Sequence, residues 1–114
     1  MYHGKVVRVI DGDTVEAAIE MWPEITILCR VRVASVNCPE MRSRDASEVA
    51  RAMAAKRFVM NELLGIEAVF TVYGKDNFGR VLCSIKYNDK DLARELINHG
   101  HAVEYRPIKT PSAS

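Results

Sequence analysis

Ile25-Thr26-Ile27-Leu28-Cys29-Arg30-Val31-Arg32-Val33-Ala34-Ser35 is the stretch whose reading decides the fold. It holds no Gly or Pro, is rich in β-branched residues, and alternates. Ile25, Ile27, Cys29, Val31 and Val33 share one face, and Arg30 and Arg32 share the other. A strand this long is expected to curl through a bulge, as closure of a small barrel requires.

Upstream lie two more strands. Lys5 to Ile10 is a Val-rich run, and Thr14 to Met21 alternates Val15, Ala17 and Ile19 against Glu16, Ala18 and Glu20. Trp22-Pro23-Glu24 breaks the second, because Pro cannot donate to a ladder. Between the two strands stands Val9-Ile10-Asp11-Gly12-Asp13-Thr14-Val15. Asp-Gly signals a tight turn, since Gly accepts positive φ and Asp tolerates it. One carboxylate suffices for that turn. The second makes either a solvated hairpin or the start of a hard oxygen site for Ca²⁺ or Mg²⁺.

Downstream, Val36-Asn37-Cys38-Pro39-Glu40 ends the strand, and Pro39 holds Cys38 extended. Asp45 is an N-cap, with Glu48 completing a capping-box-like pair. The period then becomes helical, with Val49, Ala52, Met53, Val59, Met60, Leu63 and Leu64 as one apolar stripe and Gly65 as the C′ residue. Ile66 to Tyr73 and Val81 to Tyr87 are strands joined by the hairpin loop of residues 74–80. Asp91 caps a second helix, Leu92 to Asn98, closed by Gly100, and Ala102 to Tyr105 adds a short extended segment. The order predicts an α+β fold with a mostly antiparallel sheet: a five-stranded OB-fold β-barrel with two flanking helices. One domain spans residues 1–105, and residues 106–114 are expected to form a flexible C-terminal tail.

The 114 residues suit one core, and 48% hydrophobic and 27% charged residues are ordinary for a globular chain. Lys plus Arg is 16 and Asp plus Glu is 15, so the net charge of +1 excludes a strongly basic coat. A polyanion must be held by a local cluster of cations. Cys29, Cys38 and Cys83 make an odd count without framework spacing, which argues against a disulfide-stapled module, and no C-x-x-C pair suggests zinc. No apolar run approaches a membrane span, so no membrane partner is expected. The N-terminus enters a strand pattern at once, which reads as cytoplasmic, or as a secreted protein whose leader has been removed.

Charged and polar residues punctuate the strand ends: Asp11 and Asp13, then Arg32 with Asn37 and Glu40, then Arg80 after Phe78-Gly79. Each singly reads as a solvated strand or loop residue. Together, Ile-Asp-Gly-Asp-Thr-Val, Arg-Val-Arg-Val-Ala-Ser-Val-Asn-Cys-Pro-Glu and Asp-Asn-Phe-Gly-Arg, in this order, resemble the staphylococcal nuclease family from about Gly4 to Tyr105. The resemblance implies an OB-fold barrel and a Ca²⁺-dependent phosphodiesterase acting on DNA and RNA, with products carrying a 3′-phosphate. By position it implies metal ligation by Asp13, Asn37 and the Cys38 carbonyl, with Asp11 supporting. It implies Glu40 as general base and Arg32 and Arg80 as phosphate clamps, with Phe78 and Tyr105 contacting the nucleotide. Arginine suits the clamp because its planar fork matches phosphate oxygens.

Three features depart from the family pattern. Asn37 stands where the family has Asp, Phe78 where it has Tyr, and both the loop after Glu40 and the C-terminal end are short. An amide oxygen still ligates Ca²⁺ but carries no charge, so a second reading follows: a catalytically weakened module of this fold that binds nucleic acid or a protein partner. A third is a protein-interaction domain independent of nucleic acid. His99-Gly100-His101 reads as a helix end rather than a metal pair, and Cys38 has no His nearby in sequence to make it a nucleophile. Arg42, Arg44, Arg51, Lys56 and Arg57 form a basic tract that either attracts a nucleic-acid backbone or is balanced by Glu48 and Glu62. Arg32 and Arg80 are expected to be largely exposed, and the protein a monomer.

Overall fold

In the computed structural model, which describes residues 1–105, eight strands and two helices follow in chain order. They are β1 (Tyr2–Asp11), β2 (Thr14–Trp22), β3 (Ile25–Val33), β4 (Val36–Asn37), α1 (Ala46–Leu63), β5 (Glu67–Lys75), β6 (Val81–Tyr87), β7 (Lys90–Asp91), α2 (Leu92–Asn98) and β8 (Val103–Glu104). Strands β3, β2, β1, β5 and β6 pair in that order, and β3 then pairs with β6 to close the barrel. Neighbours within this ring are antiparallel except at the closure, where Val31, Arg32 and Val33 run parallel to Val81, Leu82 and Cys83. This is the five-stranded OB-type α+β barrel expected from the sequence. The expected tail, residues 106–114, lies outside the described residues.

Side chains of alternating parity fill the interior, with Val15, Ala17, Ile19, Val31, Val33, Phe70 and Ile85 at most 3% exposed. The bulges that bend the sheet lie elsewhere than expected. Register shifts fall in the β1–β2 pair, between Val6 and Arg8 and between Val9 and Asp11, near the far end of β2, between Glu20 and Trp22, and in the β5–β6 pair, between Val72 and Gly74. Strand β3 instead stops at Val33. Ser35 adopts φ 73°, and β4 then pairs with β8 through Val36–Glu104 and Asn37–Val103.

Helix α1 lies on the barrel with a narrower stripe than the sequence suggested. Ala52, Ala55, Val59 and Leu63 are buried, whereas Met53 and Met60 are 47% and 38% exposed. Each methionine follows a buried residue and so sits roughly 100° around the axis, beyond the contact line. The Asp45 cap is present, its carboxylate accepting the Ser47 N–H at 3.0 Å. Glu48 does not reach back to Asp45; it accepts the Glu40 N–H at 3.0 Å and so ties the loop after β4 to the helix. Gly65 takes φ +76°, and Asp91 caps α2 by accepting the Arg94 N–H at 3.1 Å.

The Asp11-Gly12-Asp13 turn requires glycine for a reason other than positive φ, which Gly12 does not adopt. A Cβ there would lie 2.7 Å from Cys38 Sγ and 2.8 Å from Ala55 Cβ. The turn is thus wedged between the post-β4 loop and α1. Gly12→Ala should therefore lower stability by roughly 1–3 kcal/mol, through overpacking of neighbours that cannot withdraw, as measured by urea denaturation.

Candidate active site

Cross-strand register aligns the site. Thr14 of β2 lies opposite Arg32 of β3, and Arg32 lies opposite Leu82 of β6. Arg80 precedes Leu82 by two positions at the entry to β6, and Asp13 precedes Thr14 in the turn. Three segments far apart in the chain therefore meet in one row across the barrel wall.

Hydrogen bonds fasten this row. Asp13 Oδ2 accepts the Cys38 N–H at 2.9 Å and lies 3.6 Å from Arg32 Nη2. Asp13 Oδ1 accepts the Thr14 hydroxyl at 3.3 Å, and Asp11 Oδ1 accepts the Asp13 N–H at 3.2 Å. Arg32 donates from Nη2 to Asn37 Oδ1 at 2.5 Å and from Nη1 to its neighbouring Val33 carbonyl at 2.7 Å. Arg80 donates from Nε to Asp76 Oδ2 at 2.6 Å and from Nη1 to Thr14 Oγ1 at 3.1 Å. Both guanidinium groups are largely buried rather than exposed as the sequence suggested, with side chains 12% exposed for Arg32 and 25% for Arg80. The closure between β3 and β6 encloses them, a feature that no local pattern announces.

Two residues that the sequence reading did not single out hold the row together. Thr14, 4% exposed, is the buried polar residue among those described, and its hydroxyl joins the Asp13 carboxylate to the Arg80 guanidinium. Asp76 folds the loop before β6, accepting the Phe78 N–H at 2.8 Å and the Arg80 N–H at 3.0 Å. Burial pushes its carboxyl up, but these bonds and the guanidinium outweigh that and hold it below the usual range. The signal for both was their place inside the quoted motifs: Thr14 in Ile-Asp-Gly-Asp-Thr-Val, and Asp76 at the head of Asp-Asn-Phe-Gly-Arg.

Burial, then the Asp13 carboxylate beside it, raises the Asp11 carboxyl to about 6. Burial and the same two acids push the Cys38 thiol up to about 12, so it is no nucleophile at neutral pH. Asp11, Asp13 and Asn37 offer hard oxygens of the kind a Ca²⁺ ion accepts, beside a half-buried pair of acids that a cation would relieve. No group of three or more His, Cys, Asp or Glu side chains among the described residues is arranged to hold a metal, so such a site would draw on amide and backbone oxygens. His99 and His101 each lie 4.8 Å from the Phe58 ring and pack there.

A cavity of about 970 Å³ opens beside the row. Arg32, Asn37, Phe78, Arg80 and Tyr105 line it, together with Tyr73 and Asp76. The Phe78 ring is 83% exposed, with the Arg80 guanidinium 5.4 Å from its centroid. Tyr105 is brought in by the β4–β8 pair and by its N–H, which donates to the Ser35 carbonyl at 2.9 Å. Glu40 is exposed on the loop after Pro39 and is not among the residues lining the cavity.

The sequence profile of the family described as staphylococcal nuclease homologue matches residues 30–114. The Asp11–Asp13 turn precedes that span and is joined to it by the bonds to Cys38, Arg32 and Arg80 through Thr14. Curated relatives include endonuclease Htp3 of Saprolegnia parasitica (strain CBS 223.65), 30% identical over 119 residues, covering 90% of this chain and 56% of that protein. Protein ParB of Escherichia coli is 26% identical over 112 residues (90% and 57% covered). An uncharacterized endonuclease of Escherichia coli is 25% identical over 112 residues (95% and 64% covered). The chain thus spans little more than half the length of the first two relatives.

Removing Arg32 should cost stability as well as any activity, because it strips Asn37 Oδ1 of its donor and the Asp13 carboxylate, only 14% exposed, of its counter-ion. Arg32→Ala is expected to lose about 1–3 kcal/mol, the cost of unsatisfied buried polar groups, in chemical denaturation at neutral pH.

Proposed function

The chain belongs to the staphylococcal nuclease family, and from that premise we propose that it is a metal-dependent phosphodiesterase that hydrolyses DNA or RNA. The observation that supports this reading most is the single cavity lined by Arg32, Arg80, Asn37, Phe78 and Tyr105, next to the paired acids Asp11 and Asp13. Two guanidinium groups facing one space suit an anionic diester, which resists attack until its charge is offset.

In this reading water attacks phosphorus, Glu40 accepts its proton, and the P–O5′ bond breaks. The products are a 3′-phosphate and a 5′-hydroxyl, the leaving oxygen having taken up a proton. Glu40 is exposed, and Glu48 steadies its backbone. Arg80 presents Nη2, the nitrogen that neither Asp76 nor Thr14 uses. Arg32 reaches phosphate by exchanging its Asn37 contact for a phosphate oxygen. The Phe78 ring offers a face on which a base stacks. Asp13, Asn37, the Cys38 carbonyl and supporting Asp11 would hold Ca²⁺, which when bound polarises a phosphoryl oxygen.

One observation favours a second reading. Asn37 carries no charge and its oxygen already serves Arg32, which suits a module that binds nucleic acid or a protein with a weakened metal site. Incubation with single-stranded DNA separates the two. The enzyme reading expects release of acid-soluble nucleotide that stops with a chelator and falls about 100-fold or more in Glu40→Gln, the typical loss for a general base. Binding without cleavage that survives both treatments would leave the module. Asn37→Asp should tighten Ca²⁺ binding by roughly tenfold, since one more ligand charge is a main determinant of affinity, as read by calorimetry. Unchanged affinity would place the ion elsewhere.

A further inference from the structure

Asn37 lines two cavities. The first is the space it shares with Arg32 and Arg80. The second, of about 320 Å³, lies between the loop after β4, the first turns of α1 and the segment that leads from α2 into β8. Cys38, Pro39, Glu48, Arg51 and His101 line it together with Asn37. Glu40 is absent from the lining of the first cavity but is tied to the second at two points. It follows Pro39 in the chain, and its N–H is held by Glu48 at 3.0 Å.

The cations on this side are less balanced than their sequence suggests. Glu62 is occupied by the Tyr87 hydroxyl at 2.9 Å and Lys90 Nζ at 3.3 Å, far along α1. Glu48 is taken by the Glu40 N–H, and Asp45 by the Ser47 N–H. Arg51 donates from Nη1 to Ser47 Oγ at 3.2 Å, which leaves Nε and Nη2 without a hydrogen bond among the described residues. Arg42 and Arg44, in the loop between Glu40 and α1, are exposed and form no ion pair among the described residues. His101 packs on the Phe58 ring at 4.8 Å. Burial, then His99, holds its imidazole below the usual range, so at neutral pH it is an uncharged N–H donor.

We propose that the second cavity is a backbone subsite for single-stranded nucleic acid, where Arg51 and His101 hold the phosphate next to the one facing Arg32 and Arg80. The inference rests on the nuclease reading of the first cavity. A strand laid across Asn37 puts a nucleotide in the larger space, the scissile phosphate beside Asn37, and the adjoining backbone on Arg51. Glu40 then stands where the strand passes from one cavity to the other, which accounts for its place outside the larger one. No Phe, Tyr or Trp lines the second cavity, whereas Tyr73, Phe78 and Tyr105 line the first. Bases therefore stack in the first and the backbone alone is gripped in the second, by a guanidinium fork and an imidazole N–H. The substrate this arrangement fits is an internal stretch of an unpaired strand, not a terminal nucleotide.

Calorimetry with oligothymidylates of rising length, a chelator holding back cleavage, tests this on the intact chain. The parent should bind longer strands more tightly than the dinucleotide. Arg51→Ala should weaken the longer strands about tenfold and lower the slope of log affinity against log salt by about 0.7, the single-strand value for one phosphate contact. It should affect the dinucleotide, which has one phosphate, far less. His101→Phe keeps a ring on Phe58, removes the donor and should act in the same direction. Arg57→Ala, the same charge change on α1 outside the cavity lining, is the reference, and all three variants should keep the circular dichroism spectrum of the parent. Longer strands bound no more tightly than the dinucleotide overturn the proposal. So does an Arg51→Ala loss no larger than that of Arg57→Ala, or one equal at both lengths. Length-dependent binding that Arg51→Ala weakens supports the subsite even where restored Ca²⁺ brings no cleavage, a failure that sinks hydrolysis alone.

Discussion

Everything near the cavity depends on the parallel pairing of β3 with β6. Three residue pairs, from Val31–Val81 to Val33–Cys83, convert an open meander into a barrel and set Arg32 beside the strand that Arg80 enters. Each guanidinium is then buried against oxygens of its own: Val33 and Asn37 for Arg32, Asp76 and Thr14 for Arg80. A slip of one residue would turn Arg80 toward the opposite face, because side chains alternate along a strand. Position in the site is therefore a property of register, and register is fixed by the buried valines and Cys83 on the inner face.

The acidic turn is held to this wall by backbone, Val33 N–H donating to the Asp13 carbonyl at 2.9 Å, and by side chains. Asp13 bonds a backbone N–H of the loop after β4, and Thr14 bridges to Arg80. Gly12 lets that loop and α1 approach so closely that a methyl group would not fit. The same closeness partly dehydrates Asp11 and Asp13, and dehydration combined with mutual repulsion raises the Asp11 carboxyl. Packing and electrostatics in the turn are thus one effect: the contact that positions the acids is also what makes their charge costly.

Much of this was legible in the sequence. Strand alternation, the Asp45 and Asp91 caps and Gly65 gave the elements, because each is a local rule in which propensity and burial agree. The Asp-Gly-Asp, Asn-Cys and Phe-Gly-Arg segments pointed to residues that the fold gathers along one wall, whereas Glu40 stays off the cavity lining. What stayed hidden was non-local. Which strand edges meet does not follow from alternation, so the burial of Arg32 and Arg80 was missed, as was the β4–β8 pair that brings in Tyr105. The stripe of α1 was drawn too wide because Met53 and Met60 are apolar but lie off the line of contact. The role of Glu48 was misplaced because the capping-box rule knows only the helix, while the carboxylate found a nearer N–H on the loop of Glu40.

The amide at position 37 ties these threads together. A carboxylate there would set three acids, Asp11, Asp13 and residue 37, around the one guanidinium of Arg32. At the 3.6 Å that separates Asp13 from Arg32, attraction between unit charges amounts to about 4–5 kcal/mol at an effective dielectric constant near 20. Repulsion among three half-buried carboxylates would be of the same order, and one guanidinium does not offset it. Asn37 removes one of those charges and still accepts the Arg32 hydrogen bond. The cluster of Asp11, Asp13 and residue 37 thereby carries less mutual repulsion than three carboxylates would. With the amide, Arg32 is the internal counter-ion of Asp13, held in place by its hydrogen bond to Asn37.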